Sequence, residues 1–399
     1  MPPSQKIIII GGGIGGLACA LALIRRGIDV AVYEAAPELR EVGAGVQLGA
    51  NGTRVLHALG LKDAIEATQS VASGKAARLW NTGQTWETFD LSAVAQERYG
   101  SSHIFMHRGD LQAALADAVR RDKPNAIHLG CRFAGLAQDE RGVTVTFADG
   151  RSATGAIAVG ADGIRSPVRE ALFGPDKPEF VGIVAWRGLV PMEQLPPQIS
   201  RTAAVNWLGP NGHALHYPVR RGELMNIVAF AERSDWQVES WTTRGTHDEL
   251  ADDFRGWHSD LHEMLGRIVE PYKWALMMRP AMSRWSVDRV TLLGDACHPT
   301  LPFLGQGAVM AIEDAYVLGA CIAAHANDHA AAFARYEATR RGRTSAIVQR
   351  SLATRANAVN RAFADAASTA AHIEREWRFE RVTERYDWIY RYDATAVAM

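Results

Sequence analysis

The chain has 399 residues, 47% of them hydrophobic and 22% charged, which is room for two or three domains around a large core. With 43 Lys plus Arg against 44 Asp plus Glu the net charge is −1, so nothing points to nucleic acid or an anionic membrane as partner. The first element is Ile7-Ile8-Ile9-Ile10, four β-branched residues that predict a buried strand. Gly11-Gly12-Gly13-Ile14-Gly15-Gly16 follows, then a helical stretch from Leu17 to Leu23. Gly11, Gly13 and Gly16 fit G-x-G-x-x-G: one for the tight turn, one for pyrophosphate approach, one for close helix–strand packing. The free N–H groups and positive end of the helix suit phosphates. A second strand, Asp29 to Tyr33, ends at Glu34, where an acid is expected to bond a ribose hydroxyl. Together these predict a dinucleotide site.

Val42-Gly43-Ala44-Gly45 is expected in a loop, with a helix near Gly52–Leu59 and strand-like sequence from Ala76 to Leu91, including Trp80 and Trp86. His107-Arg108-Gly109-Asp110-Leu111 opens another helix, with Asp110 as its expected cap. Val143–Phe147 followed by Ala148-Asp149-Gly150 predicts a hairpin, and Ala156–Gly160 another buried strand. Gly182–Val190, Ala203–Leu208, His213–Pro218 and Leu224–Phe230 alternate and predict an antiparallel sheet, hence an inserted second domain. Helical patterns fill Asp248–Val269. Val290–Gly294 returns to the buried strand type, and helices dominate after Gly307. The expected architecture is α/β: a Rossmann-like dinucleotide-binding domain from 1–75, 100–178 and 280–345, an inserted antiparallel-sheet domain from 76–99 and 179–279, and a helical C-terminus, 346–399.

No apolar run approaches the roughly 20 residues of a membrane span, and the N-terminus lacks a basic segment with a cleavage site, so a cytoplasmic protein is expected. Cys19, Cys131, Cys297 and Cys321 form no C-x-x-C pair, which predicts reduced structural thiols and no metal site. Trp186, Trp207, Trp236, Trp241, Trp257, Trp274 and Trp285 cluster in the second domain. Core packing accounts for most of them, with Trp186 or Trp207 the candidates for a pocket wall.

Two further motifs are Gly160-Ala161-Asp162-Gly163-Ile164-Arg165-Ser166-Pro167-Val168-Arg169 and Gly294-Asp295-Ala296-Cys297-His298-Pro299-Thr300-Leu301-Pro302-Phe303-Leu304-Gly305-Gln306-Gly307, the latter continuing to Glu313-Asp314-Ala315. Here the chain resembles the single-component flavin-dependent aromatic hydroxylases, which carry D-G-x-x-S-x-x-R and G-D-A-x-H-x-x-x-P-x-x-G-x-G beside the N-terminal fingerprint. The three motifs stand in the family's order and span essentially the whole chain. The resemblance implies non-covalent FAD, NADH or NADPH as co-substrate without a second nucleotide fold, and O₂ as the source of the inserted oxygen. It implies cofactor contacts from Arg108 and Asp162, and from Asp295 to the ribityl hydroxyls. Gly305, Gly307 and Ala308 belong to the turn that opens a helix at the flavin's pyrimidine end, where helix N–H groups meet the reduced ring's negative charge. Many relatives have Asn where Val309 stands. The partners implied are a small aromatic acid and O₂, with no metal; a homodimer is compatible with this reading. Ending at 399, the chain is expected to lack the extra C-terminal domain of some phenol hydroxylases.

Within Gly212-His213-Ala214-Leu215-His216-Tyr217-Pro218, a strand puts His213, Leu215 and Tyr217 on one face and His216 on the other. In hydroxylases of salicylate, 3-hydroxybenzoate and 6-hydroxynicotinate the residue matching His213 lies in the substrate pocket, and the last two also match Tyr217. An imidazole suits deprotonation of a phenol. His213 and Tyr217 are therefore the expected catalytic residues, while His216 and His298 are expected to be structural. The hydroxybenzoate enzymes have Gln in place of Pro302, and the hydroxynicotinate enzymes have His in place of Gln47 and Phe303. The stretch from Gly212 to Arg220 and Asn226–Phe230 looks most like the salicylate enzymes, which implies salicylate converted to catechol and CO₂. The alternatives are gentisate from 3-hydroxybenzoate, decarboxylative hydroxylation of 6-hydroxynicotinate, and a flavin oxidoreductase without oxygen insertion. Asp387-Trp388-Ile389-Tyr390-Arg391-Tyr392-Asp393 resembles a segment of the salicylate and hydroxynicotinate enzymes and is expected to dock on the body without a catalytic role.

Overall fold

Ile7–Ile10 is a strand near the centre of a six-stranded sheet, fully buried as its unbroken apolar run requires. Its neighbours, Val30–Tyr33 and Ile157–Gly160, both run parallel to it. Ile127–His128 extends one side; Val290–Leu292 and the antiparallel edge strand Ser286–Val287 extend the other. In this computed structural model residues 6–39, 44–71, 73–89, 91–235, 243–358 and 360–398 are described. Val42, Gly43, Trp236 and Trp241 lie outside the described residues.

The helix Ile14–Ile24 follows the first strand and packs against Gly307–Ala324, with a Cβ placed on Gly319 only 3.1 Å from that of Ala22. Phe133–Asp139, Gly142–Phe147 and Ser152–Gly155 form the expected hairpin and one further strand. A small sheet of Gly45–Leu48, Ile104–His107 and Ser70–Val71 lies beside the dinucleotide fold. The helix Arg108–Asp122 starts three residues earlier than the cap expected at Asp110 requires. His107 is the N-cap, its Nδ1 accepting from Gly109 N at 3.2 Å, and Asp110 instead accepts from Arg220 at 2.8 and 3.0 Å.

The second large sheet has seven strands: Tyr272–Met278, Glu179–Pro191, Leu224–Glu232, Gly212–Val219, Ala203–Gly209, Gly74–Leu79 and Thr85–Phe89, in that spatial order. It is mixed rather than purely antiparallel, because Ala203–Gly209 runs parallel to Gly74–Leu79. More than a hundred residues separate those two strands, and so long an excursion lets the chain re-enter the sheet in the same direction. One face is sealed by His247–Asp253 and Ser259–Gly266, the two short helices into which Asp248–Val269 divides. The opposite face looks toward the dinucleotide fold.

Among the described residues one helix, Gly307–Ala324, is long and apolar enough to cross a membrane, although the sequence pattern suggested none. Two thirds of it is buried within the protein, and it carries Glu313 and Asp314, both fully buried and paired with Arg340 at 2.7 Å. It is a core helix here. Cys19, Cys131, Cys297 and Cys321 are buried and none is in a disulfide, with burial pushing the Cys19 thiol up to about 12.

Candidate active site

A cavity of about 610 Å³ lies between the two large sheets, a size typical of small-molecule sites. At one end is the glycine turn. Gly11 has φ +109°, and a Cβ there would meet the Ala161 carbonyl oxygen at 2.3 Å. A Cβ on Gly16 would lie 2.0 Å from the Gly11 carbonyl oxygen, so helix and strand touch there. Above Gly13 the space is open to 4 Å, and the helix that begins beside it has neither a side-chain cap nor an acidic residue in its first turn. Glu34 faces the same end, its oxygens accepting from Gly12 N at 2.6 Å and Ala36 N at 2.8 Å.

Asp162 accepts from Ser166 Oγ at 2.5 Å and Val168 N at 3.0 Å, tying the turn that opens the helix Pro167–Phe173 while lining the cavity. Burial pushes its carboxyl up despite those bonds. Asp295 stands on a short turn after Val290–Leu292, its side chain open to the cavity it lines. Burial pushes its carboxyl up, against the opposing pull of His298 and Arg108. Arg108 joins the lining from the start of its helix. Gly305, in the left-handed region at φ +63°, turns the chain into Gly307–Ala324, whose first residues, Gly307 and Ala308, line the cavity with no acidic residue in that turn. Behind this loop His298 Nε2 bonds Asp314 Oδ2 at 2.6 Å, away from the cavity, as its expected structural role requires. Val309 packs under Gly52.

The sheet supplies the other wall. His213, Leu215 and Tyr217 face the cavity along one strand, with Val228 and Phe230 beside them on the next. The His213 ring stacks on Phe230 at 4.5 Å and 18°, and Phe303 closes the group at 5.8 Å. Tyr217 is held by Phe105 at 4.9 Å, and burial pushes its phenol well up, so its hydroxyl stays protonated. His216 points the other way, where its Nδ1 accepts from Trp207 Nε1 at 3.3 Å; burial drives it down to about 3.

Neither Trp186 nor Trp207 lines the cavity. Trp186 donates to Asp253 Oδ2 at 2.7 Å, and both rings pack in the core under the two short helices. Strand alternation is the reason: Arg187 and Asn206, the next residue in one strand and the preceding one in the other, face the cavity instead. Trp274 is the tryptophan of the sheet that lines it. Trp377, Tyr386 and Tyr390 bring the C-terminal helices into the wall, and of these Tyr390 belongs to the segment expected to dock on the body. All the expected cofactor residues except Gly16, which acts through packing, converge on this one cavity together with His213 and Tyr217. Among the described residues no cluster of His, Cys, Asp or Glu fits a metal ion.

The residues fit FAD. An open glycine cradle and an uncapped helix end suit a pyrophosphate. A carboxylate open to the cavity at Asp295 suits ribityl hydroxyls, and a second uncapped helix end at Gly307 suits a ring that becomes negatively charged on reduction.

Residues 4–351 match the family described as FAD binding domain. The chain is 39% identical over 346 residues to 3-amino-4-hydroxybenzoate 2-monooxygenase PtnB3 of Streptomyces platensis, covering 87% of this chain and 86% of that protein. It is 36% identical to a 3-hydroxybenzoate 6-hydroxylase of Polaromonas naphthalenivorans, covering 87% and 86%. Among solved structures, Klebsiella pneumoniae HpxO complexed with FAD and uric acid superposes with a TM-score of 0.83 at 30% identity, covering 95% of each chain. A salicylate hydroxylase substrate complex superposes with a TM-score of 0.79 at 26% identity, covering 99% of this chain and 97% of that one.

Proposed function

The chain belongs to the FAD binding domain family, as an FAD-dependent aromatic-ring hydroxylase, and we propose that it hydroxylates a phenolic aromatic carboxylate, using NAD(P)H and O₂, in the cytoplasm. The observation that carries this reading is His213, presented on a sheet face with Tyr217 to the cavity that the cofactor residues line. The sheet strands form the substrate domain in this account.

Bound FAD supplies the redox chemistry that makes O₂ a hydroxyl donor. The residues of the chain do the rest. Phe230 and Phe303 fix the His213 ring, so one imidazole nitrogen meets the phenol of the substrate and takes its proton. The phenolate then activates the ring carbons ortho and para to it. The protonated Tyr217 hydroxyl orients the ring by donating a hydrogen bond. Apolar side chains of the sheet, Leu215 and Val228 among them, keep water from the reacting carbon. The N–H groups at Gly307 and Ala308 hold negative charge at the cofactor.

For the substrate, 39% and 36% identity to enzymes named for 3-amino-4-hydroxybenzoate and 3-hydroxybenzoate support a ring whose carboxylate is remote from the hydroxyl and stays in the product. A second reading, salicylate to catechol and CO₂, is supported by Gly212–Arg220 and Asn226–Phe230, which look most like the salicylate enzymes, and by Pro302 and Phe303, where the chain departs from the hydroxybenzoate and the hydroxynicotinate enzymes; Gln47 departs from the hydroxynicotinate enzymes and is shared with the hydroxybenzoate ones. Carboxyl-labelled acids with NADH in air separate the two. Label kept in a hydroxylated product of 3-hydroxybenzoate or 3-amino-4-hydroxybenzoate supports the first. Labelled CO₂ with an equal amount of catechol from salicylate supports the second. NADH oxidised with no acid hydroxylated would leave a flavin oxidoreductase.

A further inference from the structure

The cavity is charged unevenly. Its lining carboxylates, Glu34, Asp162 and Asp295, all belong to the cofactor half. Among the described lining residues the sheet and the C-terminal helices contribute Lys75, Arg187 and Arg385 and no carboxylate. Arg385 lies 3.4 Å from Glu376, and Arg187 is held over Tyr272 and Trp274 on the side of the His213 strand opposite to Lys75. Lys75 lies beside the C-terminal helices: its Nζ stands over the rings of Tyr386 at 4.8 Å and Trp377 at 5.3 Å, inside the cavity wall.

His103 lines the same end. It is 4% exposed, stands edge-on to Phe105 at 5.8 Å and Tyr390 at 5.7 Å, and neither ring nitrogen has a hydrogen-bond partner among the described residues. Burial, with the Lys75 charge added, drives the imidazole down to about 3, so it is neutral and keeps one N–H to donate. A buried ring with both nitrogens unsatisfied is costly, and a ligand that accepts its N–H removes the cost.

We propose that Lys75 and His103, framed by Tyr386 and Tyr390, form the subsite that receives the carboxylate of the aromatic acid. A carboxylate only accepts, and here it meets an ammonium and an imidazole N–H. The strand register sets the scale. His213 pairs with Leu208, and Ala204, four residues before it, pairs with Lys75. Lys75 and His213 are therefore about 13 Å apart along the strands and about 10 Å apart across them at their Cα atoms. Across that span two side chains reaching inward bracket a ring best when its carboxylate is meta or para to the hydroxyl, the arrangements that set the two polar groups furthest apart. The subsite rests on the hydroxylase reading above and selects among its substrates.

The test is equilibrium binding to the FAD-loaded protein, read as the perturbation of flavin absorbance, with 3-hydroxybenzoate, 3-amino-4-hydroxybenzoate, salicylate and unsubstituted phenol. Parent protein is expected to bind the first two at least tenfold tighter than salicylate. Lys75→Met is expected to remove tenfold or more of that affinity, Lys75→Arg to restore most of it, and His103→Phe to weaken the acids, with phenol within twofold throughout. Parent protein that binds these acids while Lys75→Met and His103→Phe bind them equally well, or lose phenol by the same factor, overturns the subsite alone. Salicylate bound tightest by the parent overturns it too. Parent protein that binds none of the four overturns the hydroxylase reading and the subsite with it.

Discussion

At the residue scale, His213 is the group to which the proposed function gives the proton transfer. His213→Ala is expected to keep FAD bound and to slow hydroxylation on the order of 10²-fold or more, with Tyr217→Phe losing less. Stopped-flow oxidation of the reduced enzyme with bound acid measures this, and a parent rate from pH 6 to 9 would make His213 a core residue. Asp295→Ala and Glu34→Ala are expected to weaken FAD binding, read by ultrafiltration of free flavin; unchanged affinity in both would remove them from the cofactor site. These residues were legible in the sequence because motifs fix their spacing and because period-two alternation assigns His213, Leu215 and Tyr217 to one face. Lys75, His103 and Trp274 were not. Each reaches the cavity from a different element, and only the strand order and the docking of the C-terminal helices bring them together.

At the element scale, the buried strands and the hairpin could be read from residue type, since unbroken apolar runs and clean alternation leave little choice of secondary structure. Which face each strand turns to the cavity could not. Trp186 and Trp207 alternate as the sequence suggests, yet both face the two short helices, because facing depends on the register with neighbouring strands. Trp207→Phe is expected to cost about 1–3 kcal/mol of stability, through the smaller ring and the lost bond to His216 Nδ1, and to leave affinity for aromatic acids near parent. Urea unfolding with a parallel binding titration checks both halves, and a large loss of acid affinity without loss of stability would place Trp207 in the pocket after all. The early start of the Arg108–Asp122 helix has a similar cause. A histidine Nδ1 two residues before Gly109 N caps it as an aspartate would, a substitution that cap preferences alone do not reveal.

At the scale of the whole molecule, a buried ion network ties the loop of Asp295 to the long helices. Asp314 accepts from His298, Gly294 N and Arg340, while Glu313 takes Asn51, Arg340 and Arg343. Burial raises both carboxyls, but the cations around them win, so both end below their usual values of 3.8 and 4.5. Depressed carboxylates stabilise the fold above their unfolded values and lose that contribution as pH falls through the folded ones. Stability against urea is therefore expected to hold from pH 7 down to about 5 and to fall below about 4.5. Arg340→Met removes the one cation that both carboxylates share, leaving Glu313 to Arg343 and Asp314 to His298, and is expected to cost about 3–5 kcal/mol at pH 7. A parent whose stability is flat to pH 3.5 would show that the network carries little. The domain insertion was foreseeable from the change of strand type near Phe180, whereas this network joins residues 51, 298, 313, 314, 340 and 343, whose proximity exists only in the folded chain.

The central claim is that the cavity joins an FAD-dependent oxygen reaction to a phenolic acid. Oxygen uptake and NAD(P)H oxidation by the FAD-loaded protein, followed with and without each aromatic acid and with hydrogen peroxide and product assayed together, test it most directly. The account predicts that an acid carrying a ring hydroxyl stimulates both, in equal amounts, with one oxygen atom from O₂ on the ring of the product and little peroxide. Uptake that no phenolic acid stimulates, or that ends wholly as peroxide with the ring unchanged, would contradict it.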